Sequence, residues 1–110
     1  MKSKPNYHEV FYQRLKQARL AKGLSQKKLG IAAGIDEFVA SARINRYEKG
    51  VHEASIKTAQ QLADVLEVPL AYFYTDDDML AELMLAFLTL SPEEKTEIFT
   101  LIKRRAERKH

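Results

Sequence analysis

An all-α fold is predicted for this 110-residue chain by three observations. Apolar residues recur at intervals of three and four through segment after segment, the spacing of a helix that buries one face. These segments are bracketed by residues that begin and end helices, Ser25, Ser55 and Ser91 at starts and Gly23, Gly34 and Gly50 at ends. The stretch from residue 25 to 50 reads as a short helix, a tight turn and a longer helix. Most of the remaining chain can be explained as supporting that unit, capping it, or pairing it with a second copy.

The length suits one folded domain with a modest core. With no cysteine, disulfides, thiol nucleophiles and thiolate metal sites are excluded. No apolar run reaches about 18 residues and no secretion signal opens the chain, so a soluble, cytoplasmic protein without a membrane span is expected. The net charge of +3 hides a strong asymmetry. Residues 1–50 hold eleven Lys/Arg against four Asp/Glu, a net +7; residues 51–90 hold one against seven, −6; residues 91–110 hold six against four, +2. A basic first half suits a polyanion, and an acidic middle would be pushed away from one.

Residues 1–6 carry Lys2, Lys4 and Pro5 without an apolar period and read as a flexible arm. Val10, Phe11, Leu15, Ala18 and Ala21 then mark a first helix over residues 7–22, stopped by Gly23. A second helix runs over residues 25–33 from Ser25 as N-cap, and Gly34 closes it in a left-handed conformation that glycine adopts without steric cost. Gly30 lies inside that helix, where glycine costs roughly 1 kcal/mol relative to alanine; close approach of the next helix is the natural compensation.

The third helix is expected to begin near Asp36 as N-cap and to end before Gly50. On a helical wheel Ala40, Ile44 and Tyr47 face inward, while Ala42, Arg46 and Lys49 face outward, flanked by Asn45. An outward face of small and polar residues with an arginine can enter a major groove, where arginine donates two hydrogen bonds to a guanine edge. Ser55 caps a fourth helix with Ile56, Ala59, Leu62, Ala63 and Leu66 as its core stripe, ended by Pro69; Tyr72, Phe73 and Tyr74 then close the core.

A sixth segment starts at residues 76–78, with Leu80, Leu83, Met84, Phe87 and Leu88 as its stripe and Met79, Leu85 and Leu90 widening it. Ser91-Pro92-Glu93-Glu94 is a capping box with proline at the first helical position. The helix it opens carries Ile98, Leu101 and Ile102 inward, Phe99 beside them, and a basic end at Lys103, Arg104, Arg105, Arg108 and Lys109.

Leu24-Ser25-Gln26, Ala33-Gly34-Ile35, the inward Ile44 and Tyr47, and Glu48-Lys49-Gly50 together resemble the lambda-repressor-like, or XRE (Cro/CI-type), helix-turn-helix family across residues 8–74. The resemblance implies a five-helix helix-turn-helix domain, here residues 7–75, plus two C-terminal helices in an extension of residues 76–110. It implies binding of a palindromic or pseudo-palindromic operator in double-stranded DNA by a homodimer. Aligned from Glu48-Lys49-Gly50, the family's base-contacting positions fall on Ser41, Ala42 and Arg46, and its phosphate-anchoring glutamine on Gln26. Lys27, Arg43, Asn45, Lys49 and the loop residue His52 are the further candidates for the DNA backbone. Arg19 and Glu48 match a buried ion pair that joins the first helix to the third, a structural role.

Sixteen positions separate Gly34 from Gly50, about four more than the motif's common form, which is close to one helical turn. The surplus lengthens either the recognition helix or the turn before it. The wording ASARINRYEKGVHEA, followed by VPLAYFYTDDD and a helical extension, also resembles the controller proteins of restriction–modification systems, small dimeric activators or repressors.

The extension is expected to form the dimer interface through Leu80, Leu83, Met84, Phe87, Leu88, Ile98, Leu101 and Ile102; the competing arrangement is a lid over the chain's own core. Enzyme activity finds no support. His8, His52 and His110 lack metal-ligand spacing, and no phosphate loop or nucleophile elbow is present. No catalytic residue, metal, cofactor or small-molecule ligand is therefore expected. The alternative function is an antitoxin whose C-terminal helices bind a toxin partner and whose DNA binding regulates its own operon.

Overall fold

A computed structural model describes residues 6–109; of the arm expected over residues 1–6, all but Asn6 lies outside them. The described residues are all-helical and contain no strand. In order they form α1 (Tyr7–Lys22), α2 (Gln26–Ala32), α3 (Ala40–Glu48), α4 (Ile56–Leu66), a 3-10 helix (Leu70–Tyr74), α5 (Asp78–Leu88) and α6 (Pro92–Glu107). The chain divides into two compact units, one ending at Asp77 and one beginning at Asp78.

The first unit is built from short, well-capped helices. Asn6, assigned to the arm from sequence, is the N-cap of α1: its Oδ1 accepts the His8 amide at 3.0 Å. Ser25 and Ser55 cap α2 and α4 by accepting the amides of Lys28 and Thr58. The core comprises Phe11, Leu15 and Ala18 of α1, Leu29 of α2, Ala40, Ile44 and Tyr47 of α3, Ala59, Leu62, Ala63 and Leu66 of α4, and Tyr72 and Phe73. Phe11 and Phe73 meet edge to face, ring centroids 5.1 Å apart.

The expected stripe of α4 holds except at Ile56, which is 64% exposed. It occupies the first position of the helix and opens onto a hollow shared with Tyr7, His8, Phe11 and Tyr74, one turn short of the packed layer.

In the second unit, Glu94 N–H donates to Ser91 Oγ (3.1 Å) and Ser91 N–H to Glu94 Oε1 (2.9 Å), so the capping box is formed, with Pro92 at the first helical position. Leu80, Leu83, Met84 and Phe87 of α5 and Phe99 and Ile102 of α6 line an open apolar groove of about 370 Å³. The Lys95 ammonium lies 5.7 Å from the centre of the Phe87 ring, linking the two helices. The stripe expected to turn inward on α6 is instead largely open: Leu101, Ile102 and Phe99 are about half exposed, and no described residue of α6 is fully buried.

Candidate nucleic-acid interface

The pose of α3 is set first by α2. The bare Cα of Gly30 faces Ala40, and a Cβ added there would meet Ala40 Cβ at 2.7 Å and its carbonyl oxygen at 3.1 Å. Gly34 has φ +92°, Gly34 N–H and Ile35 N–H bond to the carbonyls of Ile31 and Gly30, and Ile35 is buried.

The surplus residues then lengthen the turn. Asp36 accepts the Phe38 amide through its side chain (2.8 Å) and the Val39 amide through its carbonyl (3.1 Å), which closes residues 36–39 into a turn. The first α3 bond is Arg43 N–H to Val39 C=O, at 2.9 Å. Asp36 is thus not the helix cap expected from sequence. An aspartate competes for its own downstream amides and diverts the chain from helical geometry, and the helix waits until Ala40 is seated on Gly30.

The inner side of α3 is anchored by charge. Arg19 Nε donates to Glu48 Oε2 at 2.6 Å and Nη2 to Oε1 at 3.0 Å, while Nη1 donates to the Leu24 carbonyl at 2.9 Å. Both side chains are buried, and the bidentate geometry leaves neither charge uncompensated. Gln26 adds to this cluster: its Nε2 donates to Glu48 Oε1 (3.1 Å) and to Asn45 Oδ1 (3.3 Å). Its amide therefore lies against α3 as well as at the start of α2.

The far end is anchored by α1. Gly50 has φ +74°, and the amides of Gly50 and Val51 bond back to Tyr47 and Arg46 in a Schellman closure. A Cβ at Gly50 would meet the Tyr12 ring at 2.7 Å, so a side chain there would have to displace that ring as well as adopt a left-handed backbone. His8 Nε2–H donates to the Gly50 carbonyl at 2.8 Å, its Nδ1 lies 3.6 Å from Glu53 Oε1, and its ring meets Tyr12 edge to face.

With its inner face fixed in this way, α3 presents Ser41, Ala42, Arg43, Arg46 and Lys49 to solvent, and Asn45 is half-buried beside Gln26. Arg43 is directed along the helix: its Nη2 donates to Tyr47 Oη at 2.9 Å and its guanidinium lies 5.9 Å from that ring's centre. Lys27 and Lys28 at the start of α2 and His52 in the following loop are exposed. The face is cationic, because the one acid on α3, Glu48, is turned in and neutralised by Arg19.

Two supporting residues carry no role in the sequence reading. Arg14 is buried; Nε donates to the Thr75 carbonyl (2.9 Å), Nη1 to Gln17 Oε1 (3.1 Å), and the guanidinium lies 5.8 Å from the Tyr72 ring centre. Its place on the same face as Phe11, Leu15 and Ala18 was the available signal. His8 had none, since its partner Gly50 is 42 residues away.

No described helix is long and apolar enough to cross a membrane. The helix-turn-helix family model matches residues 15–73. An uncharacterized HTH-type transcriptional regulator of Sinorhizobium medicae is 33% identical over 76 residues, 68% of this chain and 52% of that protein. The HTH-type transcriptional regulator y4wC of Sinorhizobium fredii is 35% identical over 74 residues, 66% of this chain and 49% of its own. The chain thus spans about half the length of the curated relatives it matches. The crystal structure of the transcriptional regulator BswR superposes with a TM-score of 0.82 at 49% identity, covering 86% of this chain and 93% of that one. The chain belongs to the helix-turn-helix family of the XRE type, a family of DNA-binding transcriptional regulators.

Proposed function

We propose that the chain is a sequence-specific transcriptional regulator that binds a palindromic or pseudo-palindromic operator as a homodimer. The observation that carries this reading is the division of α3 into a buried half, Ala40, Ile44, Tyr47 and Glu48, and an exposed cationic half with Ser41, Ala42, Arg46 and Lys49. Ser41, Ala42 and Arg46 take the base edges; Gln26, Lys27, Arg43, Asn45, Lys49 and His52 take the phosphates. Gln26 does so by turning the N–H of its longer bond, to Asn45 at 3.3 Å, toward the phosphate while the bond to Glu48 keeps the side chain in place.

Residues 76–110 act as the dimerisation element. The apolar groove between α5 and α6 and the half-exposed Leu80, Leu83, Leu88, Leu101 and Ile102 offer a second copy a surface to bury, which would hold two recognition helices about 34 Å apart. Within this reading, a controller of a restriction–modification system is the finer assignment, supported by the wording of residues 40–54.

Selection of bound sequences from a random DNA pool tests the proposal. A two-fold symmetric consensus is expected, together with a dimer in sedimentation equilibrium that becomes a monomer in Leu83→Glu. Failure to enrich any sequence would refute specific binding. The antitoxin reading rests on the same groove and requires another protein's helix there; a toxin partner that co-purifies and competes with self-association would favour it.

A further inference from the structure

Phe38 is 89% exposed, the most exposed large apolar side chain among those of the described residues. It sits in the turn of residues 36–39, one position before Val39, the N-cap of α3, and Val39 is itself 44% exposed. Leaving a phenylalanine in water forgoes roughly 1.5–3 kcal/mol relative to burying it. The turn that holds it out is also well defined: the Phe38 amide is bonded to Asp36 Oδ1 and the Val39 amide to the Asp36 carbonyl.

The recognition helix of this motif enters the major groove N-terminus first, so the residues at its start lie nearest the base edges. Phe38 is three and four positions from Ser41 and Ala42, assigned above to those edges. The phosphates are the wrong partner for this turn. It carries Asp36 and Glu37 and no cation, and both carboxylates would be repelled by the backbone, whereas a phenyl ring finds one apolar feature in the major groove, the 5-methyl group of thymine.

We propose that Phe38 is a specificity-determining residue that contacts a thymine 5-methyl group at the edge of each half-site. The surplus turn is then an added reading element: it carries an apolar probe beyond the helix start, next to the hydrogen-bonding positions. This deepens the operator-binding reading and rests on it.

The test uses the full chain, its selected operator, and operators in which each thymine is replaced singly by deoxyuridine, which lacks only the methyl group. The wild-type chain should lose about fourfold in affinity at one thymine per half-site, the worth of one buried methyl group. Phe38→Ala should bind the parent operator more weakly and lose nothing further at that same position, with its thermal midpoint unchanged because the side chain is exposed. Deoxyuridine penalties that are absent from the wild type, or identical in Phe38→Ala, would overturn the assignment. Arg46→Ala separates the two readings: if it relaxes base preference while Phe38→Ala behaves as wild type, operator binding stands and the methyl contact falls. If the wild type selects no operator, both fall.

Discussion

Gly30 and Ala40 meet so closely that a methyl group on Gly30 would stand 2.7 Å from Ala40 Cβ and 3.1 Å from its backbone. Gly30→Ala gains about 1 kcal/mol of helix propensity and loses about 1–3 kcal/mol to overpacking against atoms that cannot rotate aside. A net loss of stability is expected by urea denaturation, partly restored by adding Ala40→Gly. Additivity of the two substitutions would show that the contact is not what excludes alanine.

Arg19 and Glu48 predict a second asymmetry. Arg19→Ala should cost about 3–5 kcal/mol, because it strands a buried carboxylate. Replacing both residues together, Arg19→Met with Glu48→Leu, should cost far less than either alone. A double variant as unstable as the sum of the singles would argue against the pair as a unit.

This pair, the glycine ends of the helices and the inward Ala40, Ile44 and Tyr47 could all be read in the sequence, since each follows from helical periodicity, capping or the family motif. The turn of residues 36–39 could not. Its outcome depends on a three-way competition among the Asp36 side chain, its carbonyl, and the seating of Ala40 on Gly30, and only the folded chain resolves that. Ile56 escaped for the converse reason: the period was right, but as the first residue of its helix it opens onto a hollow and not onto the packed layer. The His8–Gly50 bond joins residues that no local pattern relates.

The Arg46 side chain is exposed, so its removal should be silent in stability. Arg46→Ala is expected to cost about 1–3 kcal/mol of operator affinity and to relax preference at one base pair per half-site. Gln26→Ala should instead weaken specific and random DNA by the same factor. Equal losses on both DNAs for Arg46→Ala would remove it from the base-reading set.

Alkaline pH should loosen the first unit. Burial raises the Tyr72 phenol above its ordinary value of 10.0, with Arg14 opposing, and burial then Glu53 raise Tyr74. The native state therefore keeps these protons when the unfolded chain would release them. Their stabilisation is complete below about pH 10 and declines as pH rises beyond it. Tyr72→Phe with Tyr74→Phe should flatten the fall in denaturation midpoint between pH 9 and pH 11, roughly the span over which tyrosine ionises; an unchanged slope would assign the fall to other groups.

Helix α3 is held at its start by Ala40 on Gly30, at its middle by Arg19 on Glu48, and at its end by Tyr12 and His8 beneath Gly50. A helix clamped at three points has little conformational entropy left to surrender in the docking proposed for it. Its heat-capacity change on association should accordingly reflect only the surface buried between the partners, without the larger contribution that accompanies folding on contact.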